Sequence, residues 1–164
     1  MNYGIISSAI LLLLASPGTN PTQAAGPPVT SVTAELIVVY GNNEYIDIDP
    51  KIPYEAGPAL AKPPFSTYSG YTLLQRRTYT LPIGSPVSHT LKNGGKAVFS
   101  FKEIIKIGNL TKYLITQSII KKNGKPHSPL VELTVKSGEF YFFNGLPYKD
   151  GVQVVGIKLL PEKP

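Results

Sequence analysis

The feature that most constrains this chain is a run of alternating apolar and polar residues at 94–136, punctuated by two short turn signals. Gly108-Asn109 and Asn123-Gly124 tolerate the positive φ angles that two-residue β-hairpin turns require. Because successive side chains of a strand point to opposite faces, the alternation is typical of strands with one buried and one solvated face. The run therefore predicts three consecutive antiparallel strands.

The first two of these strands differ in their pattern. In the strand predicted at 96–107, four large apolar residues share one face: Phe99, Phe101, Ile105 and Ile107. Glu103 interrupts this pattern, and either a β-bulge close to it or an imperfectly dry face would accommodate it. The strand predicted at 110–120 is apolar on both faces, as is usual for a strand in the centre of a sheet.

Short strand patterns separated by Gly, Pro and Asn continue on both sides of this run. The chain is predicted to contain about eight strands in total. The most apolar of them ends at 36–40, which predicts a position inside a sheet rather than at its edge. No helix is predicted beyond the first 25 residues. The fold class is therefore all-β, and we expect an antiparallel β-sandwich or small barrel with one long Pro-rich loop.

The N-terminal residues, 1–25, are typical of a signal peptide. A short apolar run at 5–15 is followed by a Pro-Gly break and by small residues at 22–24, where a signal peptidase could cleave. The alternative is a membrane anchor, but the run is too short to cross a bilayer core about 30 Å thick. The chain contains no cysteine, which excludes disulfides and a lipid-anchored lipoprotein. We therefore expect a secreted or periplasmic protein with a single domain at 26–164.

The segment at 44–70 differs from the rest of the chain because it combines five prolines with many large apolar residues. The prolines lack backbone donors and exclude a continuous strand or helix. The aromatic content argues against disorder, and loops of this length in compact domains are usually functional when they are ordered. We therefore expect an ordered layer across one face or end of the sheet, and we call this segment the flap.

The flap and the strand that follows it supply the candidate binding residues. Aromatic rings beside proline-rich chain can stack on sugars or grip a partner peptide. The predicted ligand- or partner-binding residues are Tyr45, Tyr54, Phe65, Tyr68, Tyr71, Arg76 and Arg77. The alternative for the aromatic residues is that they pin the flap to the sheet.

Candidates for metal binding or catalysis are few. Asp47 and Asp49 point the same way in extended chain and could bind a hard cation, but they could equally initiate a turn or pair with the arginines. His89 and His127 are the two histidines of the chain, and no nucleophile-elbow sequence accompanies them. We therefore expect no metal, no cofactor and no enzymatic activity, with a hydrolase as the least favoured alternative.

The balance of charge is basic, with a formal net charge of +6, and the predicted signal peptide carries no charged side chain. Lysines are frequent in and around the run at 94–136. They favour attraction to an anionic glycan or a membrane surface. The alternative is that they decorate solvated strand faces and discourage edge-to-edge pairing. Nucleic acid is not expected as a partner, because the chain is predicted to be exported.

Three short motifs resemble a group of small exported β-rich proteins of deltaproteobacteria of the myxobacterial kind. These are Asp47-Ile48-Asp49-Pro50, then Pro64-Phe65-Ser66-Thr67-Tyr68 running into Leu73-Leu74, and an apolar terminal strand after Asp150-Gly151. The resemblance extends over residues 35–160. It implies export and a β-rich domain of unknown function, and it implies no catalytic residue.

Together these features predict an exported, non-catalytic domain that binds another envelope or secreted protein, or forms a structural part of the cell envelope. The alternative is a binding module for anionic glycans or lipid headgroups that uses the lysine-rich surface. Binding through lysines should weaken steeply as the ionic strength rises, whereas docking through the aromatic flap should not.

Overall fold

The computed structural model describes residues 29–44, 46–143 and 145–160. The predicted signal peptide, 1–25, and Tyr45 lie outside the described residues. The described part contains nine strands: β1 (Ser31–Asn42), β2 (Gly70–Pro82), β3 (Pro86–Thr90), β4 (Lys96–Ile107), β5 (Leu110–Ile120), β6 (Val131–Lys136), β7 (Phe140–Phe143), β8 (Pro147–Tyr148) and β9 (Gly151–Leu159). Within the same ranges, no helix is both long and apolar enough to span a bilayer.

The strands form two antiparallel sheets. Sheet A has the order β2-β1-β9-β7, with β8 also pairing with β9, and sheet B has the order β3-β4-β5-β6. The interior strands are therefore β1 and β9 in sheet A, and β4 and β5 in sheet B. The prediction of an all-β antiparallel sandwich is confirmed, and the strand beyond the eight expected is β8, which is only two residues long.

The larger hydrophobic core lies between the two sheets. Leu36 of β1 and Ile157 of β9 are buried in one cluster with Phe101 of β4 and Ile115 of β5. Removing an aliphatic or aromatic side chain of this size from water stabilises a fold by roughly 1.5–3 kcal/mol. This shared core therefore holds the two sheets together.

A β-bulge in β4 decides which side chains of its second half enter this core. The register of β4 against β5 shifts between Phe101 and Glu103, which is the first of the two alternatives that the sequence left open. Because one inserted residue reverses the alternation, Ile104 packs against the core and Ile107 is 59 % exposed. The prediction that Ile105 and Ile107 face the same way as Phe101 is therefore wrong.

A second core lies on the other face of sheet A, beneath the flap. Its buried residues come from both layers: Ile52, Ala56 and Leu60 from the flap, and Ile37, Val39, Tyr71, Phe140 and Val154 from the sheet. The interior strand β1 is apolar on both faces because each face contacts a different core. The flap is thus a third layer of the domain.

Three short helical turns shape the flap: Tyr54–Ala56, Gly57–Leu60 and Phe65–Thr67. The sequence predicted no helix in this segment because of its prolines. Pro58 stands in the first turn of Gly57–Leu60, where a backbone N–H would have no helical partner in any case. The prolines therefore limit these helices to single turns but do not exclude them.

Candidate functional site

The flap is fastened to β2 by hydrogen bonds around Asp49 and Tyr71. The amide of Asp49 donates to the carbonyl of Tyr71 at 2.8 Å, and the amide of Tyr71 donates to the carbonyl of Asp47 at 2.9 Å. The Asp49 carboxylate accepts from the amides of Lys51 and Leu73, at 3.0 and 3.1 Å. These two bonds favour the charged carboxylate and lower the pKa of Asp49.

The two candidate metal ligands, Asp47 and Asp49, therefore serve the backbone of the flap. Asp47 accepts through Oδ1 from the amide of Ile48 at 2.8 Å. Across the described residues, no three His, Asp or Glu side chains are grouped closely enough to hold a metal ion. In this structure the two carboxylates organise the turn that begins the flap.

Most of the candidate aromatic residues pack onto the sheet. Tyr71 is 4 % exposed, and its hydroxyl donates to the carbonyl of Phe65 at 2.6 Å. Burial raises the pKa of Tyr71 to about 12. The half-buried ring of Phe65 lies 5.8 Å from that of Phe142, and the half-buried ring of Tyr68 lies 6.2 Å from that of Tyr71. These contacts pin the flap to sheet A.

Tyr54 has the opposite placement, because its side chain is 91 % exposed. It stands beside an apolar groove of about 490 Å³, which we call the flap groove. The groove is lined by Ile48, Asp49, Pro50, Ile52, Pro53, Tyr54, Gly57, Pro58 and Ala61. Ile46, two residues before the lining residue Ile48, is also 91 % exposed. An apolar groove with an exposed aromatic ring at its side makes this surface the candidate binding site.

A polar cluster lies where the flap begins and was missed by sequence reasoning. The hydroxyl of Tyr40 donates to Asp150, which lies in the turn between β8 and β9. A hydrogen bond with Asp150 raises the pKa of Glu44, and the bond from Tyr40 lowers the pKa of Asp150. The ammonium of Lys149 lies 5.8 Å from the centre of the Tyr40 ring. No sequence signal links Glu44 to Asp150, because the fold alone brings these distant residues together.

The two candidate arginines lie away from the groove, since neither is among its lining residues. Arg76 contacts Glu35 of β1 at 2.6 Å, and Glu35 also contacts Lys158 of β9 at 2.8 Å. Glu35 and Lys158 are buried, so each charge compensates the other in a place where an unpaired charge would be costly. Burial, and secondarily the charge of Arg77, lower the pKa of His89 on β3.

The two histidines occupy different surroundings. His89 is buried, and its Nδ1 lies 2.6 Å from the hydroxyl of Tyr79. Its Nε2 has no hydrogen-bond partner among the described residues. His127 is exposed in the connection between β5 and β6. The ring of His89 thus contacts a phenol, and the positive charge of Arg77 helps to lower its pKa.

Comparison of the chain with protein-family models, with curated proteins and with solved structures gives no match in any of the three. The resemblance to exported deltaproteobacterial proteins therefore stays a prediction. The flap groove is the candidate site on the basis of its geometry alone.

Proposed function

We propose that this chain is an exported, non-catalytic binding domain that docks a partner protein of the cell envelope through the flap groove. The observation that carries this proposal is the 91 % exposure of Tyr54 on a flap that buries Ile52, Ala56 and Leu60 against the sheet. Phe65 and Tyr68 of the same segment are held against the sheet. The exposure of Tyr54 is therefore a property of an ordered surface and not of a loose segment.

The floor of the groove is supported from below. Ile52 lines the groove and is also buried in the second core beneath it. The neighbouring residue Asp49 is fixed by its bonds to the backbone of β2. A surface held in this way loses little conformational entropy when a ligand binds, which favours affinity.

The lining of the groove favours an extended partner segment that carries apolar side chains and a basic residue. Pro50, Pro53 and Pro58 offer no N–H for backbone pairing, so apolar contact and stacking on Tyr54 remain as the main attractions. The lining residue Asp49 has a lowered pKa and carries a negative charge, which complements a lysine or arginine of the partner.

A peptide-display selection tests this proposal. Short random peptides are selected on the protein, and the affinity of the enriched peptides is measured by fluorescence anisotropy. We expect them to combine apolar residues with Lys or Arg, and Tyr54→Ser to weaken their binding by about tenfold or more. Leu130→Ser is the matched control, because Leu130 is another apolar residue, 69 % exposed, outside the flap.

The dependence of the affinity on ionic strength distinguishes binding in the flap groove from binding through the lysines. Since the contacts in the groove are mainly apolar, the affinity should change by less than about threefold between about 50 and 500 mM NaCl. A selection that enriches no peptide contradicts the proposal. Enriched peptides that bind the Tyr54→Ser variant as tightly as the unmodified protein contradict it too.

A further inference from the structure

Sheet B and its turns carry the excess positive charge of the molecule. Residues 86–136 contain nine lysines and two acidic residues, Glu103 and Glu132, whereas the other described residues include six basic and seven acidic ones. The charge is therefore segregated onto one of the two sheets. A one-signed surface of this kind attracts an anionic partner.

The hairpin of β4 and β5 ends in an apolar tip. Ile107 pairs with Leu110 directly beside the Gly108-Asn109 turn, where Gly108 has a φ of 57°. Ile107 is 59 % exposed, and Leu110 and Ile105 are half-buried. Because the bulge in β4 reverses the alternation, these three aliphatic side chains share the outer, solvent-facing side of sheet B at one end.

Lysines flank this tip. Lys112 of β5 lies directly opposite Lys136 of β6, and Lys102 and Lys106 are exposed on β4. Like charges directly opposite one another destabilise a sheet, and among the described residues an ion pair, with Glu139, compensates Lys136 but not Lys112. The repulsion between Lys112 and Lys136 is unfavourable in the isolated domain, and a negatively charged surface beside the two lysines would make their placement favourable.

We propose that the β4–β5 hairpin docks the protein on an anionic lipid membrane. Ile107 and Leu110 enter the boundary between headgroups and acyl chains, while Lys112, on the same side of sheet B, contacts the lipid phosphates. An anionic polysaccharide would engage the lysines but gives no role to an exposed isoleucine at the tip. A membrane binds both the isoleucine and the lysines, because the insertion of apolar side chains and the attraction of lysines to anionic headgroups add together.

This inference does not depend on the proposed function. The flap groove lies on the outer side of sheet A, whereas the hairpin tip belongs to sheet B. A protein that binds vesicles without binding peptides, or peptides without vesicles, would separate the two proposals.

Co-sedimentation with lipid vesicles tests the inference. We expect binding to vesicles of phosphatidylglycerol and phosphatidylethanolamine, no binding to vesicles of phosphatidylcholine alone, and release as NaCl is raised. Ile107→Ser should weaken binding by about tenfold or more, because a buried isoleucine contributes much of the insertion. Leu130→Ser, at an exposed position remote from the turn, and Tyr54→Ser, in the flap groove, should bind like the unmodified protein.

The thermal midpoint of the Ile107→Ser variant should match that of the unmodified protein, since the side chain is solvent-facing. Three results would overturn the inference. They are the absence of binding to anionic vesicles at low salt, equal binding of the Ile107→Ser variant, and binding to dextran sulfate without binding to vesicles. The last result would assign the lysines to a polysaccharide.

Discussion

The outer faces of the two sheets differ in whether another layer of the chain covers them. Sheet A is covered on its outer face by the flap, and a second hydrophobic core fills the space between them. Among the described residues no second layer of this kind lies on the outer face of sheet B, and sheet B with its turns carries nine of the lysines. The comparison teaches that apolar residues on both faces of a strand do not by themselves predict a covering layer. Both β1 and β5 have this pattern, yet among the described residues only β1 of the two lies beneath a second layer, which consists of proline-rich chain with single helical turns.

The two cores are built on the same principles. Each contains a buried tyrosine whose hydroxyl reaches a backbone carbonyl: Tyr113 bonds to Leu160 at 3.1 Å in the inner core, and Tyr71 bonds to Phe65 at 2.6 Å under the flap. If the flap is an integral layer, then equivalent substitutions in the two cores should have equivalent costs. The three predictions that follow compare the flap layer with the sandwich, beginning with the largest expected effect.

Leu60→Ala should lower the free energy of unfolding by about 2–5 kcal/mol, because it leaves a cavity in the second core. Leu60 is buried between the flap and sheet A. Urea denaturation measures the loss, and Leu130→Ala, at an exposed position, is the control with an expected change within about 0.5 kcal/mol. A loss below about 1 kcal/mol at Leu60 would show that the flap is not part of the cooperative fold.

Tyr71→Phe should lower the free energy of unfolding by about 0.5–1.5 kcal/mol, the net value of one hydrogen bond. Tyr113→Phe is the matched variant in the inner core and should have a similar cost. Limited proteolysis of the Tyr71→Phe variant should also cut the flap faster than in the unmodified protein. If Tyr71→Phe left the free energy of unfolding unchanged while Tyr113→Phe lowered it, the two cores would not be equivalent.

The smallest expected effect concerns pH. Burial lowers the pKa of His89 below its ordinary value of 6.5, so at pH values just below 6.5 the unfolded chain binds a proton that the folded protein does not. The stability contributed by neutral His89 is therefore complete above about pH 6.5 and falls as the pH drops toward the lower folded pKa.

His89→Gln should flatten the dependence of the thermal midpoint on pH between about 7 and 5. His127→Gln is the control, because His127 is exposed and should leave the slope unchanged. Asp49, which anchors the flap, has a lowered pKa, so its contribution is present above its ordinary value of 3.8 and is lost only at lower pH. As the pH falls, the sandwich should thus lose stability before the flap loosens. Equal slopes of the thermal midpoint against pH for the unmodified protein, His89→Gln and His127→Gln would contradict this order.

Local signals predicted most of the fold. The bounds of β4 and β5 follow from the alternation of Phe99 and Phe101 with polar residues and from the Gly108-Asn109 turn, all of which act over a few residues. The direction of the side chains beyond the bulge could not be predicted in the same way. The position of the inserted residue depends on how β4 pairs with β5, and that pairing is settled by packing against the other sheet.

The candidate site could be predicted as a segment but not as a surface. The aromatic content of the flap indicated an ordered layer, yet it did not indicate which rings would be buried. Tyr71 lies in β2 beneath the flap, whereas Tyr54 lies in a short helical turn and projects into solvent. The contact of Glu44 with Asp150 is non-local in the same sense.

Amide hydrogen exchange followed by mass spectrometry tests the central claim, that the flap is an ordered third layer on sheet A. The amides of Asp49, Ile52 and Tyr71 each donate to a backbone carbonyl within 3 Å, so peptides containing them should exchange about as slowly as peptides from β1 and β9. Complete exchange throughout 46–70 within seconds, while the strands stay protected, would contradict the claim. It would also show that the flap groove is not an ordered binding surface.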